Sequence, residues 1–132
     1  MKYIIEKLEN GLNVLYIPLK ESNIVCSLLL VNTGSINENK KNNGISHFLE
    51  HMSFKGTKQF KKSSDLNKAL DVLGSSYNAF TSHEYTGYHI TCANSCLNKI
   101  VEIMSEMYYN PLFKKGDINK ERGVIIEEIN MY

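Results

Sequence analysis

The residues best equipped for chemistry are His47, Glu50 and His51, which fall within the run His47-Phe48-Leu49-Glu50-His51. On an α-helix, side chains three and four apart share a face. Two imidazoles and one carboxylate can therefore converge on a single ion-sized volume. Neutral imidazoles suit zinc, and a carboxylate beside the ion is placed to take a proton from a water. On the same wheel, at about 100° per residue, Ile45, Phe48, Leu49 and Met52 gather on the opposite side. The spacing predicts a helix with one apolar face and one ligating face. The plainer reading is a polar helix face with two surface histidines, and a third ligand would decide between them.

A catalytic zinc site takes three protein ligands and keeps one position open. His83 and His89 remain, together with many acids. In the terminal segment, with Ile125 as reference, Ile118, Ile129 and Tyr132 share a face, while Lys120, Gly123 and Glu127 point away. Glu121 and Glu128, two helical turns apart, lie on the flank of the apolar stripe, where half-burial is expected. This favours Glu128 as the ligand and Glu121 as a carboxylate behind the site, of the kind that orients a ligand. The same placement also fits two exposed glutamates making i, i+4 contacts.

Elements must hold these groups. Residues 3–8 and 12–17 are β-rich runs around Asn10-Gly11, a hairpin signal. Residues 24–31 are nearly continuous in apolar side chains, which predicts a central strand. A polar loop over 33–43 leads to the metal helix, from about Gly44 to Phe54, and Lys55-Gly56-Thr57 breaks it. Ser63 or Ser64 is expected to cap a helix through Leu73, stopped by Gly74. Strands over 75–81 and 85–92 flank a turn at Ser82-His83-Glu84. A helix over 95–109 ends at Asn110-Pro111, and a last one starts at Asp117 as its cap. Hairpins without strict βαβ alternation predict an α+β fold, a mostly antiparallel sheet with helices packed on one face.

Composition narrows the function classes. The 132 residues suffice for one domain with a core, and 42% hydrophobic with 22% charged residues describes a globular chain. A formal charge of +1 argues against nucleic acid as a partner. Lys55, Lys58, Lys61 and Lys62 form a basic loop, expected to be a solvated connection between helices. Cys26, Cys92 and Cys96 suit neither a disulfide framework nor paired thiolates, and read as buried small residues. Charges interrupt the N-terminal run from Met1 to Lys7 before a signal core develops, and no apolar stretch approaches the ~20 residues of a membrane span. A cytoplasmic chain with no membrane association is expected. The terminal helix carries no stop signal at Met131 and Tyr132, so the domain is expected to be cut there.

Three blocks, taken together, carry a family resemblance. They are His47 to His51 followed by Met-Ser-Phe-Lys-Gly-Thr, then Tyr77-Asn78-Ala79-Phe80-Thr81-Ser82, then Glu121 through Glu127-Glu128-Ile129. In order and spacing the chain resembles the M16 family of zinc peptidases, of the pitrilysin and insulinase type with the inverted His-x-x-Glu-His motif. The resemblance implies His47, His51 and Glu128 as ligands of one zinc ion, with Glu50 as the catalytic base. It also implies Glu121 as an outer-shell carboxylate, and it favours Glu128 over Glu127. Asn78, Ala79 and Phe80 match the strand that in the family receives a peptide substrate by edge addition. The implied activity is endopeptidase cleavage of peptides or unfolded polypeptide segments. A second M16-like domain or subunit would close a chamber, and residues 1–132 would be the N-terminal part of the catalytic domain. Two other readings stand beside this one. A non-catalytic subunit of the family is one. The other is an enzyme like S-ribosylhomocysteine lyase, with a cysteine, Cys92 or Cys96, as third ligand.

Overall fold

The computed structural model describes residues 2–131. The strands are β1 (Ile4–Lys7), β2 (Asn13–Tyr16), β3 (Ile24–Val31), β4 (Ser76–Thr81) and β5 (Thr86–Ala93). The helices are α1 (Ile45–Met52), α2 (Ser63–Val72), α3 (Leu97–Tyr109) and α4 (Lys115–Asn130). Short 3-10 turns at Ser35–Asn37 and Asn94–Cys96 lead out of β3 and into α3. This is the expected α+β architecture, with antiparallel pairing throughout. No helix among the described residues is long and apolar enough to cross a membrane.

β1 and β2 form a hairpin closed at Gly11, whose φ of +88° favours glycine. The main sheet runs β3-β5-β4, so β5 is central and β3 lies at an edge among the described residues. The expectation of a central β3 therefore fails, for a physical reason. Its apolar run alternates in burial, with Val25, Leu29 and Val31 packed against the core and Ile24, Leu28 and Leu30 more than half exposed on the open face. A continuous apolar strand need not be covered on both sides. Cys26 shares that open face and is exposed, against expectation, whereas Cys92 on β5 is buried.

The core lies on the helical side of the sheet. Tyr88, Ile90 and Cys92 alternate along β5 and meet Leu66 and Leu70 of α2 and Ile100, Ile103, Met104 and Met107 of α3. Each fully buried aliphatic side chain here stabilises the fold by about 1.5–3 kcal/mol relative to exposure. Strand alternation also turns Tyr77 and Ala79 of β4 toward this core.

Helix boundaries differ from expectation in two places. α2 begins after Lys62, not at a serine cap, because the Lys62 N–H donates to the Asp65 carboxylate at 3.1 Å. α4 begins after Lys114, which puts Asp117 inside the first turn, where its charge still favours the helix N-terminus. Ile129, expected on the buried stripe, is exposed, and Tyr132 lies outside the described residues.

The loop from β3 to α1 is fixed at two points. Ser35 and Ile36 N–H groups donate to the Ser82 and His83 carbonyls of the β4–β5 turn, at 3.2 and 2.9 Å. Gly34 is buried against that turn, and a Cβ there would stand 2.5 Å from the Ser82 oxygen. Further along, the Glu38 carboxylate accepts the Gly44 and Ser46 N–H groups at 2.6 and 2.8 Å. The first turn of α1 would otherwise hold unpaired donors, since Gly44 has no side chain to cap it. A residue distant in the loop thus sets where α1 begins.

Candidate metal centre

α1 packs against α4, β4 and β5. Each face is mixed in burial. On the polar side Glu50 is buried to 9% exposure while the His47 side chain is 38% exposed. On the apolar side Met52 is fully buried, as the wheel implied, while Ile45 and Leu49 are 40% and 43% exposed. The two-faced helix is therefore present, but the polar side meets the sheet and α4 at Glu50 and His51, which leaves part of the apolar side open.

His47 and His51 stand one turn apart on α1, with ring centroids 4.5 Å apart and planes nearly perpendicular. Their Nε2 atoms are 3.0 Å from each other, and each is 3.6 Å from Glu128 Oε2 on α4. Ligands held tetrahedrally around zinc at 2.0–2.1 Å would lie about 3.3 Å apart. The observed spacings bracket that value, and the three side chains can offer donor atoms all within 4.8 Å of one another. The donor set of two imidazoles and one carboxylate fits a zinc ion with a position left for water.

Behind this group, His51 Nδ1 donates to Glu121 Oε1 at 2.7 Å. The bond fixes the proton on Nδ1 and leaves the Nε2 lone pair facing the other donors. Glu121 is 4% exposed. Its second oxygen accepts from Lys55 Nζ at 2.6 Å. Burial pushes the Glu121 carboxyl up, but the hydrogen bonds and charges of Lys55 and His51 outweigh it and hold it below the usual carboxylate range. Glu50 has its own partner, the Thr81 hydroxyl, which donates to Oε2 at 2.5 Å.

Glu127 is exposed, as the wheel implied, and Glu128 is half-buried. Cys92 packs in the core and contributes no donor to the cluster, nor does Cys96. Asn78 and Ala79 share with Glu50, His51, Tyr77 and Lys55 the lining of a cleft that joins His51 to β4. β4 is an edge of the sheet among the described residues, so its outer side is open to a further strand. Phe80 lies outside that cleft, on the opposite face of the sheet, with its ring over Gly87 and edge-on to Tyr85.

Residues 14–132 match the sequence profile of Insulinase (Peptidase family M16). The chain belongs to the M16 family. Among its relatives is subunit beta of the mitochondrial-processing peptidase of Rattus norvegicus, 41% identical over 124 residues, which are 92% of this chain and 24% of that protein. A Bacillus subtilis protein described as an uncharacterized zinc protease, YmxG, is 40% identical over 102 residues, 77% of this chain and 25% of that protein. Among solved structures, a protease from Helicobacter pylori superposes with a TM-score of 0.91 at 34% identity, over 96% of this chain and 30% of that one. Pitrilysin superposes with a TM-score of 0.86 at 29% identity, over 98% of this chain and 14% of that one. The chain spans about a quarter of the length of these curated M16 relatives.

Sequence reasoning missed Thr81, Lys55 and Glu38. Thr81 was within reach, since it continues the period-2 face of Tyr77 and Ala79 and so points to the helical side. Lys55 follows His51 by four residues, a same-face spacing, but the run of lysines suggested solvation and hid its partner on α4. Glu38 left no local signal, because its targets are six and eight residues away across a loop.

Proposed function

We propose that this chain carries the zinc-binding, proton-transferring part of an M16 endopeptidase that cleaves extended polypeptide segments. One observation carries the reading: α1 and α4 bring three ligand atoms within reach of one ion, beside a buried glutamate held by Thr81. His47, His51 and Glu128 would hold the zinc. When bound, zinc supplies a Lewis acid that makes a water acidic near neutral pH and polarises the scissile carbonyl. Glu50 takes the proton of the attacking water and returns it to the leaving amine. With Oε2 engaged by Thr81, its other oxygen is left for that transfer. Glu121 keeps the His51 ring turned toward the ion by accepting its Nδ1–H.

The substrate segment would add to the open edge of β4, with main-chain hydrogen bonds along Asn78, Ala79 and Phe80 and side chains selected in the adjoining cleft. Residues 1–132 would supply the N-terminal part of the catalytic domain, and a second M16-like domain or subunit would complete the chamber. The deciding experiment is peptide cleavage by the intact protein with and without a chelator, alongside the Glu50→Gln variant. That variant is expected to retain one zinc per site and to lose at least about a hundredfold in cleavage rate. Undiminished cleavage by Glu50→Gln would overturn the role of Glu50, and cleavage indifferent to the chelator would overturn the zinc mechanism.

A further inference from the structure

Lys55 sits in the turn that follows α1, and its ammonium reaches Glu121 of α4. Glu121 is thereby bound on both oxygens, by His51 Nδ1 at 2.7 Å and by Lys55 Nζ at 2.6 Å. The terminal torsion of a glutamate is soft and broad. A single partner leaves the carboxylate plane free to turn, whereas two partners fix it. The same pair also joins the two helices that supply the ligand atoms, His47 and His51 from α1 and Glu128 from α4. Glu121 and Glu128 are two turns apart on α4, so a tether at Glu121 sets the register in which Glu128 meets the histidines. Lys55 is the only lysine in an ion pair with this carboxylate cluster among the described residues.

We propose that Lys55 is a positioning residue of the metal centre, acting through Glu121 to hold the His51 ring and the α1–α4 register ready for the ion. The proposal rests on the reading of His47, His51 and Glu128 as zinc ligands. It assigns to Lys55 a part that its place in a run of surface lysines conceals.

The test measures zinc affinity by competition with a chromophoric chelator on the intact protein. The variants are Lys55→Met, Lys55→Arg, Glu121→Gln and the Lys55→Met/Glu121→Gln double variant, and each metal-free protein is also melted thermally. Lys55→Met is expected to weaken zinc binding about tenfold, the low end of the range for groups that orient a ligand. Lys55→Arg, which keeps the charge and the donors, is expected to stay within about threefold of the parent. With Glu121 already Gln, the further change at Lys55 is expected to cost less than about twofold, since residues acting through one contact are not additive. Zinc affinity of Lys55→Met within about twofold of the parent would overturn the proposal, even with a lowered metal-free melting temperature, because the pair would then be purely structural. An undiminished loss in the Glu121→Gln background would overturn it too, since Lys55 would then act by another route. His47→Ala and Glu128→Ala separate the two levels: if both bind zinc as tightly as the parent, the metal centre itself is wrong and the role of Lys55 falls with it.

Discussion

Replacing Glu38 by Ala tests how α1 is started. α1 has eight residues and opens on Gly44, so its first N–H groups depend on the Glu38 carboxylate, which accepts two of them at 2.6 and 2.8 Å. Loss of a side-chain cap costs about 1 kcal/mol, and loss of a negative charge at a helix N-terminus costs about 0.5 kcal/mol where partly exposed. The expected destabilisation is therefore about 1.5 kcal/mol near neutral pH. Its pH dependence has a definite sign. Burial pushes the Glu38 carboxyl up, but the Ser46 and Gly44 N–H bonds and the His47 charge outweigh it and hold it below its ordinary value. A carboxyl lowered in the folded state contributes stability that is fully present above its unfolded value, about 4.3, and is lost as the pH falls through the folded value. Urea unfolding of parent and variant, both with chelator present, should show a constant gap from about pH 5 to 8 that narrows below about pH 4. A gap under about 0.3 kcal/mol at neutral pH, or one of equal size in acid, would refute the capping account.

Three further substitutions probe other links. Gly34→Ala places a methyl group 2.5 Å from the Ser82 carbonyl oxygen, and since both sides are backbone it is expected to destabilise by more than about 2 kcal/mol in urea titration. Thr81→Val keeps the shape of β4 but removes the hydroxyl donated to Glu50; cleavage is expected to slow about tenfold in kcat with zinc content unchanged by metal analysis. Leu70→Ala empties a fully buried position of α2 in the core cluster, and a thermal melt should register a loss of about 2–5 kcal/mol.

The parts of this molecule legible in the sequence are those encoded by short periods. The i, i+3, i+4 spacing placed His47, Glu50 and His51 on one face, and a two-turn spacing separated Glu121 and Glu128 from the exposed Glu127. Asn10-Gly11 and Asn110-Pro111 marked a turn and a helix end through backbone chemistry that acts locally. What the sequence left open depended on which surface covers which. β3 is apolar on both faces, yet nothing in its residues says that one face stays bare among the described residues, and Cys26 went wrong with it. Ile45 and Leu49 were expected to be covered because they are apolar, but α1 turns its polar side to β4 and α4, where Glu50 meets Thr81 and His51 meets Glu121. Lys55 and Glu38 act across loops or between helices, at separations that no periodicity reports.

The charges around the cluster explain why such a site should be coupled to the stability of the fold. Three carboxylates, Glu50, Glu121 and Glu128, crowd the contact of α1 with α4 and β4, and two of them are buried. Lys55 answers one of them directly. Acidic groups gathered in a partly desolvated place are costly unless cations answer them. A divalent cation on His47, His51 and Glu128 would balance what Lys55 leaves over. If these residues hold the ion as proposed, the metal-free fold carries a penalty that the ion removes. Free zinc at about a hundred times its Kd would stabilise the folded state by about 2.7 kcal/mol. The melting temperature should then rise steadily with zinc concentration in the parent and stay flat in Glu128→Ala. A parent whose melting point ignored zinc would refute this coupling, because an ion that binds only the folded state must stabilise it.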